Sequence, residues 1–197
     1  NKLSIALDLK SEQGKQVLRR LVKDADVLVE NYRVGVMERL GLSYESLAKI
    51  NPRLVYATVR GFGDPRTGKS PYANWPAFDV IAQAMGGIMG ITGPDANTPL
   101  KIGPGVGDIV PAMLAAVGIL AAVRHAEKTG EGQFVDVAMY DSILALCERI
   151  VYQHSYDGTV PGPEGNSHPL LCPFGLFPAA DGFVSIACPQ DHFWKIL

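Results

Sequence analysis

Residues 26–63 read DVLVENYRVGVMERLGLSYESLAKINPRLVYATVRGFG, and this stretch decides the fold. Asp26 to Val29 is short and apolar, and Leu54 to Val59 is a second apolar run. Between them, Val34 to Ile50 has helical spacing split at Gly41, with Ser43 placed to cap the second half. Strands joined through a helical crossover pair in parallel, and a parallel sheet is covered on both faces, which is why neither run alternates with polar residues. Upstream, Leu3 to Leu9 (LSIALDL) has β character, and Ser11 opens SEQGKQVLRRLVKDA, where Val17, Leu18, Leu21 and Val22 share one helical face. The order is βαβαβ, which predicts an α/β protein with a Rossmann-like parallel sheet and covering helices.

Outward from that unit, Gly61 to Pro76 is rich in Gly, Pro and Asn, as expected of an extended loop at the carboxyl end of a strand. Open α/β sheets hold their ligands at that edge. Phe78 to Met89 regains helical periodicity, Gly90 to Gly107 is a second Gly and Pro loop, and Asp108 to His125 reads as a buried core helix. The longest apolar stretch, Ile109 to Val123, is about fifteen residues with Pro111 and Gly118 inside it, short of the roughly twenty that cross a bilayer. FVDVAM (134–139) reads as a further strand, and Asp141 begins a helix to about Gln153. From Ser155 to Pro169 the composition shifts to Gly, Pro and polar residues. We therefore expect a large domain over 1–154, a linker over 155–169, and the beginning of a smaller domain over 170–197. In the last, FGLFPAADGFVSIACP reads as two strands joined at Ala180-Asp181-Gly182.

Of the 197 residues 47% are hydrophobic and 19% charged, with 18 Lys plus Arg against 20 Asp plus Glu, a composition that excludes disorder and a coiled coil. The formal charge of -2 supplies no broad basic field, so nucleic acid is not an expected partner. Cys147, Cys172 and Cys188 form no CxxC pair, and His125, His154, His168 and His192 lack any metal-ligand spacing. No metal and no disulfide framework are expected, and a cytoplasmic or other reducing compartment fits, mitochondrial or peroxisomal in a eukaryote. The chain begins at Asn1 rather than Met and closes in helical sequence at Leu197, so both ends read as cut.

Three motifs carry chemistry. Gly63 to Ser70 (GDPRTGKS) is a formal match to the phosphate-loop pattern GxxxxGK[ST]. That pattern works only where a helix begins at its Lys-Ser end, whereas Ser70 is followed by PYANWP and Pro65 removes a donor from the loop itself. A loop with an exposed Lys69 is the plainer reading. Asp108 follows the GPGVG turn (103–107) at the head of the apolar helix. It reads either as an N-cap or as a carboxylate presented at a helix mouth beside a ligand. Glu30-Asn31-Tyr32-Arg33 and Gly61-Phe62-Gly63 lie just past neighbouring strands. Together they offer an amide, two aromatic faces and the guanidinium of Arg33, with Arg39 as a second, a set suited to stacking an adenine and pairing with phosphates.

At these residues the chain resembles family III of the CoA-transferases, a group that includes formyl-CoA and carnitine CoA-transferases and, as a branch, α-methylacyl-CoA racemase. NKLSIALDLK resembles the family's opening block, DVLVENYRVGVMERLGLSYESL its ENFRPG segment with Val34 at the proline, and NPRLVYATVRGFG its third strand and GFG loop. FDVIAQAMGG, VGDIVPAMLAAVGILAAVRHAEKTGEGQFVDVAMYDSIL and GNSHPLLCPFGLFPAADG follow in family order. The resemblance implies that Asp108 is a nucleophile, forming first an aspartyl mixed anhydride and then an aspartyl-CoA thioester. It implies that Leu7, Lys10, Asn31, Tyr32 and Arg39 lie along coenzyme A and that Asp79 lines the substrate pocket beside Phe78. The racemase branch carries His at the position of Phe78, so the resemblance favours CoA transfer, with racemisation and a phosphate-loop module as the alternatives. It further implies an interlocked homodimer of bilobal protomers, of which this chain would be a middle half.

Overall fold

A computed structural model describes residues 1–197. Three parallel strands, β1 (Val27–Glu30), β2 (Val55–Arg60) and β3 (Phe134–Ala138), form one sheet in the order β1-β2-β3. β2 is central, and Val55 to Ala57 are at most 2% exposed, the burial expected of a strand covered on both faces. α1 (Glu12–Lys23) precedes the sheet, while α2 (Val36–Arg39) and α3 (Tyr44–Ala48) form the first crossover. Ser11 caps α1 by accepting the N–H of Gly14 at 3.1 Å, and Ser43 caps α3 by accepting that of Ser46 at 3.3 Å. Val22, Met37, Leu42, Leu47, Leu54 and Tyr56 pack together under these helices. On this face the register partners Tyr56 and Phe134 stack with ring centroids 5.7 Å apart, and Tyr44 packs on both.

The second crossover runs through α4 (Asp79–Met85), a 3-10 turn (Ile88–Ile91) and α5 (Val106–Thr129), which packs against β2 and β3. α6 (Met139–Leu146) and α7 (Glu148–Asp157) follow β3. Antiparallel β4 (Phe174–Ala179) and β5 (Gly182–Ala187), then α8 (Asp191–Trp194), complete the chain.

The structure corrects several expectations. Leu3 to Leu9 is not a strand, because it pairs with no strand of this chain, and Leu3 and Ile5 are exposed. Its apolar content reflects β propensity, which forms a strand only where a neighbour completes the ladder. The segment expected as one helix over 78–89 breaks at Gly86-Gly87, and that over 141–153 is replaced by two helices meeting at Cys147. α5 is longer than expected and is not buried all round. Pro111, Ala115, Ala122 and Ala126 are buried, but Met113, Val117 and Leu120 are 57%, 67% and 69% exposed. At 24 residues α5 is long and apolar enough to cross a membrane by length and composition alone; here it covers one face of the sheet. Within the stretch expected as a linker over 155–169, α7 continues to Asp157, and Ser167 bridges Gly175.

Candidate active site

All three strands of the parallel sheet point their carboxyl ends to one edge, and a cleft of about 720 Å³ opens there. Glu30 to Val34 line it from beyond β1, Arg60 and Gly61 from the end of β2, Met139 from the end of β3, and Asp108 with Ala112 from α5. Trp75 to Phe78 close one side. Tyr32, Trp75 and Phe78 are 47%, 57% and 73% exposed, so flat aromatic faces are available at the mouth. The chain can pass close here because Gly61 has no side chain: a Cβ on it would stand 2.3 Å from that of Ala77.

Asp108 is not an N-cap. Gly105 holds the cap position, and Asp108 is the third residue of α5, where the helix dipole favours a carboxylate and oxyanions near it. The Asp108 side chain makes no hydrogen bond or ion pair within the chain and faces the cleft. The turn before it is held from behind by Asp79, whose Oδ1 accepts the N–H of Gly107 at 2.8 Å. The Gln83 amide donates to the same carboxylate, and Lys101 Nζ lies 3.5 Å away. Burial pushes the Asp79 carboxyl up, but the Gln83 amide, the Gly107 N–H and Lys101 outweigh it and hold the group below its ordinary value. Gln83 is itself fully buried, and its Oε1 accepts the N–H of Ile102 at 3.0 Å.

The expected site residues divide into groups. Asp108, Asn31, Tyr32, Arg33, Gly61 and Phe78 come together around the cleft. Phe62 and Gly63 do not join them: Phe62 is 7% exposed and packs against Tyr72 and Tyr140, facing a second, smaller cleft of about 380 Å³. Leu7, Lys10 and Arg39 lie outside the cleft lining, and Asp79 sits behind the glycine turn rather than in the wall. Trp75, Met139 and Arg60 were missed by sequence reasoning. A Trp in a Gly and Pro loop at the carboxyl edge, and a charge ending a buried strand, were the available signals.

The phosphate-loop reading fails on geometry. No helix begins at Lys69 or Ser70, and the next starts at Asp79. The Asp136 carboxylate accepts the N–H of Asp64 at 2.8 Å and the Thr67 hydroxyl, so an anion of the protein already occupies the inside of the loop. Arg66 ties the same loop to Glu38 and Glu45, and its hydrogen bond to Glu45 holds that carboxyl down to about 2. No three His, Cys, Asp or Glu side chains gather as a metal would require.

The cleft lies at the carboxyl edge of an open parallel sheet and brings together aromatic faces, the Arg33 guanidinium and the unpaired Asp108 carboxylate at a helix head, groups able to stack a flat ring, pair with an anion and act as a nucleophile. The model of CoA-transferase family III matches residues 1–197. The succinyl-CoA:mesaconate CoA-transferase of Haloarcula hispanica is 54% identical over 196 residues, covering 100% of this chain and 50% of that protein. The acetyl-CoA:oxalate CoA-transferase of Acetobacter aceti is 44% identical over 197 residues, with 100% and 50% covered. The crystal structure of a CAIB/BAIF family protein from Brucella suis superposes with a TM-score of 0.85 at 36% identity, covering 96% of this chain and 49% of that one. The chain belongs to CoA-transferase family III. It spans about half the length of the curated relatives it matches.

Proposed function

We infer that this chain carries the nucleophile and much of the CoA surface of an enzyme that moves CoA from an acyl-CoA to a carboxylic acid. The observation that carries this reading is the unpaired carboxylate of Asp108, which faces the same cleft as Asn31, Tyr32, Arg33 and Gly61. An Asp108 oxygen adds to the thioester carbonyl of the donor, the C–S bond breaks, and CoA thiolate leaves behind an aspartyl mixed anhydride. The thiolate then adds to the Asp108 carbonyl and expels the donor's carboxylate, giving an aspartyl-CoA thioester. An acceptor carboxylate then runs the second step backwards: it adds to the Asp108 acyl carbon of the thioester, the C–S bond breaks, and an acceptor–Asp108 anhydride forms as thiolate is released. Thiolate attack on the acceptor's acyl carbon completes the new acyl-CoA and regenerates the Asp108 carboxylate. No net proton is transferred. The N-terminal end of α5 supports each tetrahedral oxyanion through its dipole.

The relatives' names pair CoA donors with mesaconate and oxalate, which supports a dicarboxylic acid acceptor. Racemisation needs a proton-transferring group at the α-carbon, and Phe78 cannot supply one. The assembly we expect is the interlocked homodimer of the family. Incubating the complete protein with labelled dicarboxylates and several acyl-CoA donors tests the reading. Label in the acyl-CoA pool supports it; α-proton exchange without CoA transfer overturns it.

A further inference from the structure

β1 and β2 both end in a charged residue that is buried. Glu30 and Arg60 are each 6% exposed, and Asp64, four residues beyond Arg60, is 2% exposed. The Arg60 guanidinium is ion-paired with both carboxylates, and its Nε donates to the carbonyl of Tyr32 at 3.1 Å. The second oxygen of Glu30 accepts the N–H of Tyr32 at 2.6 Å. One ion pair therefore grips the Tyr32 backbone at both its donor and its acceptor, just past the end of β1. On the opposite side, Asp64 also accepts from Arg66 at 3.0 Å and donates its N–H to Asp136 of β3 at 2.8 Å.

Stability does not account for these charges, since apolar residues of equal volume usually serve a core as well as a buried ion pair does. An apolar set would lack directional bonds to the peptide on either side of Tyr32. Arginine suits the position because its planar fork reaches three acceptors at fixed angles, which an ammonium cannot do.

We propose that Arg60 is a positioning residue: by clamping the Tyr32 peptide to Glu30 and the following turn to Asp64, it sets the loop of Asn31, Tyr32 and Arg33 and thereby governs acyl-CoA affinity. The proposal rests on the reading of the cleft as the acyl-CoA site. Its effect is on binding, because Arg60 does not touch Asp108, which is carried by α5 on a turn held by Asp79.

The test compares wild type with Arg60→Lys in the complete protein, by steady-state kinetics, thermal melting and amide hydrogen exchange. In Arg60→Lys the acyl-CoA KM is expected to rise about tenfold with kcat within about threefold, because a contact uniform to ground and transition states is lost. Exchange across Asn31 to Arg33 is expected to quicken about tenfold while the rest of the sheet keeps its protection. Glu30→Gln retains an oxygen for the Tyr32 N–H but removes the charge facing Arg60. It serves where Arg60→Lys does not fold, with the same pattern at smaller amplitude. Unchanged KM and unchanged exchange overturn the proposal. So does a fall of kcat and melting temperature together with a rise in KM and exchange quickening throughout the sheet, the mark of a merely structural residue. A wild-type protein that binds no CoA overturns the reading of the cleft and the affinity claim with it, whereas the exchange at Tyr32 separately decides whether the clamp exists.

Discussion

The Asp79 carboxylate accepts the backbone N–H of Gly107 at 2.8 Å, tying the first residue of α4 to the second residue of α5, one position before Asp108. The nucleophile proposed here thus stands on a turn fixed from behind by a different carboxylate. The two acids have separate environments: Asp79 is paired within the protein, and Asp108 is left free toward the cleft.

That approach leaves no room for a side chain at Gly107, where a Cβ would lie 2.6 Å from the Asp79 carbonyl oxygen. Gly107→Ala is expected to destabilise the protein by about 2 kcal/mol and to lower turnover, because the head of α5 must move. Gly103, in the same Gly and Pro loop, has nothing within 4 Å of its Cβ position. Gly103→Ala should change stability by less than about 0.5 kcal/mol. Denaturant unfolding of the two variants separates the effects.

The Asp79 interactions also predict a pH dependence. Its carboxyl is held below its ordinary value of 3.8 in the folded chain, against the upward push of burial. A carboxyl depressed by folding contributes stability that is complete above its unfolded value and is lost as pH falls through its folded one. The melting temperature of Asp79→Asn should therefore trail wild type by a constant amount between about pH 5 and 7, and the gap should narrow below about pH 4. A gap that widens on acidification would contradict this account of Asp79.

Arg33 lines the cleft with an unpaired guanidinium, whereas Lys69 lies on the second cleft beyond Phe62. Arg33→Ala is expected to weaken CoA binding by about 1–3 kcal/mol through the loss of charge-assisted contacts to phosphate. Lys69→Ala should leave CoA affinity unaltered, and ATP should bind neither this variant nor the wild type. Calorimetric titration of the wild type and each variant with CoA and with ATP checks both outcomes.

The sheet was legible because its strands are short, mostly apolar runs, Val27 onward, Val55 onward and Phe134 onward with Asp136 as the one charge inside the last, separated by segments with helical spacing and recognisable Ser caps. The carboxyl-edge loops followed from parallel pairing, so Asn31 to Arg33 and Gly61 could be assigned to one edge. Contacts between residues distant in sequence leave no periodic trace. The Asp79–Gly107 bond spans 28 positions and the Glu30–Arg60 pair 30, and neither can be read from local pattern. Leu3 to Leu9 failed for the opposite reason: its local pattern was clear, but a strand is a property of pairing, and nothing in this chain pairs with it. The helix expected from Asp108 begins two positions earlier, at Val106, because Gly105 takes the cap position and leaves Asp108 inside the first turn.

The central claim is that Asp108 bonds covalently to the substrate, and intact-mass spectrometry of the complete protein with an acyl-CoA donor tests it most directly. The account predicts an adduct that maps to Asp108, is released by hydroxylamine, and is absent from Asp108→Ala, which still binds CoA. An adduct on another residue, or turnover of Asp108→Ala within about tenfold of wild type, would contradict it.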